Sequence, residues 1–258
     1  MRPRIIPFLL VSDGGLVKTK RFANRRYVGD PINAVRIFND KEVDELVLLD
    51  IDASRNNSGP QYHLIEEVLS EAFMPVGYGG GVTSVGEIEK LFRIGVEKVV
   101  INSALADSPL LLSEASRTFG SQSIVGSLDV KRDIFGRYKA YVRGGTVRHK
   151  ADPLDLLKEW ENLGAGELVV NFIDRDGTRN GFDLDFISAA SSAVQVPVVA
   201  VGGAGHIGHL SEAINAGASA VGAGSMFVFH GVHQAVLISY VDRSEYAALG
   251  DVCGNPAK

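Results

Sequence analysis

The sequence predicts an α/β chain that closes as a (β/α)8 barrel, a TIM barrel made of two similar halves. Short β-branched apolar runs alternate with helix-period segments along the chain, as parallel βα units require. Eight such runs can be counted, which is the number that closes a barrel. A set of residue pairs also recurs at one fixed spacing. Asp44-Glu45-Leu46-Val47 returns as Gly166-Glu167-Leu168-Val169, Gly80-Gly81 as Gly202-Gly203, Gly95 as Gly217, and Asn102-Ser103 as Gly224-Ser225. Each pair is 122 residues apart (167 − 45, 203 − 81, 225 − 103), so the halves carry four strands each.

The first run, Ile5–Val11, is short, contains Pro7 and leads into Ser12-Asp13-Gly14-Gly15, which reads as a buried strand rather than a signal-peptide core. The strands are expected at Arg4–Val11, Glu45–Asp50, Pro75–Tyr78, Lys98–Ile101, Ser123–Val130, Leu168–Asn171, Pro197–Val201 and Ala220–Gly222. Helix starts are marked between them. Asp30-Pro31 and Asp152-Pro153 put a capping carboxylate before a proline at the first helical position, and Ser84 precedes the helix-period stretch Val85–Ile94.

The expected organisation is one barrel over 1–240 and a flexible C-terminal tail over 241–258. With 26 basic and 31 acidic residues the net charge is −5, and no Lys/Arg block argues for nucleic acid or an anionic membrane. No apolar run approaches the roughly 18–20 residues of a membrane span. The single cysteine, Cys253, cannot form an internal disulfide, so a reducing cytoplasm is expected.

In such barrels the active site lies where the strands end and the βα loops converge. Gly81 follows strand 3, Asn102 and Ser103 follow strand 4, Gly203 follows strand 7, and Gly224 with Ser225 follows strand 8. Glycines let backbone N–H groups approach a phosphate. Two such clusters related by the repeat suggest a ligand phosphorylated at both ends; a lone cluster would be only a tight turn. Carboxylates collect at the same end: Asp50 and Asp52 after strand 2, Asp129 at strand 5, and Asp174 and Asp176 in Ile173-Asp174-Arg175-Asp176-Gly177-Thr178. Each is a general acid or base, or simply a cap or a partner of Arg175 and Lys131. The six histidines show no metal-like spacing, and no metal or cofactor is expected.

Arg4-Ile5-Ile6-Pro7, Gly79-Gly80-Gly81, Phe119-Gly120-Ser121-Gln122, Ile173–Thr178 and Gly202-Gly203-Ala204-Gly205 closely resemble the cyclase subunit family of imidazole glycerol phosphate synthase, over roughly residues 4–240. The resemblance implies a barrel that takes ammonia from a glutaminase and closes the imidazole ring on a bis-phosphate. It assigns phosphate contacts to Gly81, Asn102, Ser103, Asp176, Gly177, Gly203, Gly224 and Ser225, and places Lys18, Asp50 and Asn171 around the site. It also implies that Arg4, Glu45, Lys98 and Glu167, which start strands, form a charged gate for ammonia; otherwise they are solvated strand-start charges. Two aspartates do the acid/base work in the family. One matches Asp129, whereas Leu10 stands at the other position, in Phe8-Leu9-Leu10-Val11.

Leu9-Leu10, Tyr27–Ala34, Tyr78 and Phe227–Gly231 are similar to a paralogous branch associated with acetamidino modification of surface-polysaccharide or flagellar sugars. That likeness implies an ammonia-channelling subunit with a degenerate cyclase site, a glutaminase partner and a separate sugar amidotransferase. The competing readings are a genuine histidine-pathway cyclase using a substitute acid such as Asp13 or Asp50, and a non-catalytic phosphometabolite-binding activator of the glutaminase.

Overall fold

The computed structural model of the chain describes residues 3–242 together with Glu245 and Tyr246. Eight strands form the barrel: β1 (Arg4–Ser12), β2 (Leu46–Asp50), β3 (Val76–Gly79), β4 (Lys98–Ile101), β5 (Ile124–Arg132), β6 (Glu167–Phe172), β7 (Val198–Val201) and β8 (Ala220–Ala223). Neighbours run parallel all the way round, and the β1–β8 and β5–β6 pairs close the ring. Pro75 and Pro197, expected to open the third and seventh strands, fall just outside them, since β3 and β7 start at Val76 and Val198. They have no N–H to give, yet their carbonyls accept from Leu46 and Leu168 at 3.0 and 2.9 Å.

Helices cover the outside. The longer ones are α1 (Pro31–Asp40), α2 (Tyr62–Glu71), α3 (Val85–Arg93), α4 (Leu111–Phe119), α5 (Pro153–Asn162), α6 (Leu184–Ala193) and α7 (Ile207–Asn215). The expected caps are in place. The Asp30 and Asp152 side chains accept from the N–H groups of Asn33 and Leu154, and Ser84 forms a capping box with Glu87. One apolar layer, with Phe38, Leu91, Trp160 and Phe186, fills the space between strands and helices. A second, with Ile6, Phe8, Val47, Val100, Val125, Val169 and Val199, fills the barrel interior. Among the described residues no helix is long and apolar enough to cross a membrane.

Two features lie beyond the strands that the sequence anticipates. Gly15–Lys20 and Ala23–Gly29 form a hairpin that pairs with the upper part of β1. The second hairpin grows from β5, which runs past Val130 to Arg132 and folds back as Tyr138–Val142. Both stand at the C-terminal end of the barrel. At the opposite end, Tyr240 donates to the carbonyl of Ile5 (2.7 Å), and buried Tyr246 reaches the carbonyl of Pro3 (2.9 Å) and the carboxylate of Asp44. The remainder of the segment read as a tail, Cys253 included, lies outside the described residues.

Candidate functional site

The strand ends and the two hairpins enclose one cavity of about 350 Å³. The repeat shapes its two ends alike. Gly81 and Gly203 both have positive φ (69° and 120°). A Cβ on Gly81 would lie 2.3 Å from the Ser58 carbonyl oxygen, and one on Gly203 would lie 2.2 Å from that of Gly181. Each end is therefore built from tightly packed backbone that leaves no room for a side chain. Asn102 and Ser103 line the cavity beside Gly81, while Gly177, Gly224 and Ser225 line it beside Gly203.

Asp129 stands on the wall of β5, 6% exposed. Burial pushes its carboxyl up to about 7; the Asn102 side chain, which donates to it, pulls down, and nearby Asp176 pushes up. Leu10 lines the same cavity from β1. Lys18, on the first hairpin, is buried and donates to the Phe8 carbonyl at 2.6 Å. Burial lowers its amine to about 8, with Asp176 opposing that shift.

The carboxylates divide by role. Asp50 Oδ1 accepts from the N–H groups of Asp52 and Ala53 (2.9 and 3.0 Å), and its Oδ2 accepts from Gln61 at 2.6 Å. Asp50 thus fastens the turn after β2. Asp13 is exposed in the turn that joins β1 to the first hairpin and is not among the residues around the cavity. Asp52 holds Ser12 and Arg25. Asp174 is not among the residues around the cavity; it accepts from the N–H of Arg132 (2.9 Å), rather than pairing with Arg175 or Lys131. Asp176 does face the cavity. Its carboxylate accepts from the Thr19 hydroxyl (2.7 Å) and the Phe22 N–H (3.1 Å), which fastens the first hairpin over the opening.

Arg4, Glu45, Lys98 and Glu167 meet at the far end of the barrel. Arg4 pairs with both glutamates, and Lys98 lies 3.0 Å from Glu45 and 2.7 Å from Glu167. The two glutamate side chains are only 7% exposed, so the four charges form a ring of alternating sign, partly withdrawn from water. His206 and His209 stack at 3.7 Å beside the Gly203 end, and His209 accepts from the N–H of Gly205.

The sequence reading missed several cavity residues: Thr19, Phe22, Arg55, Ser127 and Arg143. Gly14-Gly15 and Gly136 mark the turns by which the chain folds back after β1 and after β5, and would have signalled the antiparallel strands there. Ser127 was readable too, since it lies two residues before Asp129 on the same strand face.

The sequence pattern of the histidine biosynthesis protein family matches residues 4–233. The chain belongs to that family. Its relatives narrow the place within it. A protein of Pseudomonas aeruginosa, provisionally named imidazole glycerol phosphate synthase subunit hisF2, is 51% identical over 243 residues, covering 94% of this chain and 97% of that protein. A Vibrio vulnificus protein, provisionally named subunit hisF3, is 46% identical over 250 residues, 95% of each chain. The imidazole glycerol phosphate synthase subunit HisF of Thermobifida fusca is 40% identical over 231 residues, 88% of this chain and 90% of its own. This histidine biosynthesis family member is therefore a HisF-like barrel subunit of the imidazole glycerol phosphate synthase type.

Proposed function

We propose that this HisF-like barrel is the ammonia-receiving partner of a glutaminase, and that its mouth does not run the ring closure of an ordinary cyclase. Leu10 carries the reading. It faces the cavity that Asp129 also faces, and an aliphatic side chain can neither give nor take a proton. The nearby candidates for a substitute are poorly suited: both oxygens of Asp50 are occupied, and Asp13 is exposed outside the cavity. In finer detail, we propose that the ammonia serves acetamidino modification of a surface-polysaccharide or flagellar sugar, carried out by a separate sugar amidotransferase.

The chain's own residues divide the work. The glutaminase docks on the face that carries Arg4, Glu45, Lys98 and Glu167, whose pairs part to admit ammonia. Above the ring the interior is lined by Val47, Val100, Val125, Val169 and Val199. A neutral molecule crosses such a lining far more cheaply than an ion does. In the mouth, Gly81, Asn102 and Ser103 at one end, and Asp176, Gly177, Gly203, Gly224 and Ser225 at the other, receive a phosphorylated ligand. Lys18 and Asn171 complete its surroundings.

Two measurements test this. Supplied with an ammonium salt, the isolated barrel should turn over the histidine-pathway intermediate about 10²–10⁴-fold more slowly than an ordinary cyclase, the usual cost of losing one acid or base. Ordinary turnover would return the protein to the cyclases. In a reconstituted glutaminase–barrel–amidotransferase system, Lys98→Ala should depress glutamine-dependent amidation more than ammonium-dependent amidation. An unchanged ratio with intact glutaminase binding would rule out passage through the barrel and leave a ligand-binding activator.

A further inference from the structure

The two hairpins that flank the mouth carry a charge opposite to that of the chain as a whole. Residues 13–29 hold five Lys and Arg against Asp13 alone, and residues 131–150 hold seven against Asp133 alone. They bring a surplus of ten positive charges (12 − 2) to one end of a barrel whose net charge is −5. Some of these cations are committed to neighbours: Arg25 to Asp52, Arg132 to Asp183, Arg137 to Asp133 and Arg143 to Asp107. Lys20, Arg21, Lys131, Arg148 and Lys150 are exposed and have no acidic partner among the described residues. Apolar side chains share the hairpins. Tyr27 and Val147 are exposed there, and so are Ile134 (93%) and Phe135 (74%) at the tip of the second hairpin. That tip is ordered in advance. Asp133 accepts from the N–H groups of Phe135 (2.9 Å) and Arg137 (3.0 Å), and the Arg137 guanidinium lies 5.1 Å from the centre of the Phe135 ring. A partner that grips it has little left to immobilise.

We propose that the two hairpins are the docking face for the sugar amidotransferase, which seats over the mouth with an acidic surface and an apolar socket for Ile134 and Phe135. This rests on the reading of the barrel as an ammonia-receiving subunit that serves a separate enzyme. The position of the face argues for that occupant. The cavity opens between the hairpins, bounded by Lys18, Thr19 and Phe22 on one side and by Arg143 and Gly144 on the other. Ammonia released there into open water would be protonated and diluted, so the enzyme that uses it has to cover the opening. An acidic protein face matches the surplus charge and speeds the encounter, while a rigid aromatic and aliphatic tip is the kind of anchor that carries binding energy. A lipid surface would meet the same cations and the same tip, but it would press the polar opening against acyl chains. The phosphate backbone of a nucleic acid would gain nothing from the apolar tip.

The test measures, by biolayer interferometry, how the full-length barrel with its glutaminase binds the sugar amidotransferase of the reconstituted system. Raising the NaCl concentration should slow association, because salt screens exposed charge. The double variant Arg21→Glu, Lys131→Glu should lose at least about tenfold in affinity, and so should Phe135→Ser. Lys158→Glu, the same change of charge on the flank of α5, should bind as the natural protein does. The first two variants should also form less amidated sugar per glutamine hydrolysed. No measurable binding, an affinity unchanged in both variants, or an equal loss in Lys158→Glu would overturn the face. Binding to phosphatidylglycerol vesicles that the two variants abolish, with amidotransferase affinity unaltered, would overturn it in favour of a membrane. Delivery through the barrel is read separately, by the Lys98→Ala ratio. An intact ratio effect with docking untouched by the hairpin variants would sink this face alone.

Discussion

Asp129 couples the mouth's chemistry to the protein's stability. In an unfolded chain its carboxyl titrates near the usual aspartate value of about 3.9, and in the folded barrel burial holds it up to about 7. Between those values the folded state carries the extra proton, so stability falls as pH rises through the window and stays low above it. Asp129→Asn removes the penalty. The variant should match the natural protein below about pH 4 and exceed it at pH 8 by about 4 kcal/mol, an order-of-magnitude figure from one pH unit per 1.36 kcal/mol. Urea midpoints at the two pH values check this; equal gains at both would mean that the carboxyl's ionisation is not the cause. This link between burial and proton affinity was only partly legible in the sequence. The residue type and the strand end could be read, but the enclosure that shifts its titration could not.

Elements differ in how openly they announce themselves. The Asp-Pro starts of α1 and α5 and the Ser84–Glu87 box are local signals, and local signals survive folding unchanged. The first hairpin gave little away because Ala23–Gly29 is mostly exposed and shows no alternation. Its position depends on contacts such as Thr19 with Asp176, 157 residues away in sequence. The same loop separates Asp174 from Asp176, since only the fold decides which of two neighbouring aspartates turns inward. Glycines divide in the same way. Gly86 lies within α3 with nothing within 4 Å of a Cβ, so Gly86→Ala should stabilise the barrel by about 0.5–1 kcal/mol through helix propensity. Gly203→Ala meets the Gly181 carbonyl at positive φ and should cost about 2 kcal/mol or more. Denaturant midpoints of the pair decide the matter, and a common sign would contradict the geometry.

At the scale of the whole molecule, the internal repeat was the most legible feature, because glycines that only a close backbone approach explains recur at one spacing. It leads to a prediction about both ends of the mouth. Crystals grown with sulfate or phosphate should show two anions, one near Gly81 and Ser103 and one near Gly203 and Ser225. An empty mouth at high anion concentration would count against a doubly phosphorylated ligand. The closure of the ring has another consequence, one that belongs to synthesis. Arg4 of β1 takes its place beside Ala220 of β8, which leaves the ribosome 216 residues later (220 − 4). At roughly 5–20 residues per second that is a wait of about 10–40 s. During it the lower stretch of β1, Arg4–Pro7, has one edge with no neighbour, an invitation to wrong pairing. The upper stretch is safe much sooner, because Val17 pairs with Leu10 as soon as the hairpin emerges. The strap over the mouth thereby doubles as an early guard for half of the barrel's open seam. Deleting it should show first as nascent chains lost to aggregation, before any defect in the finished protein.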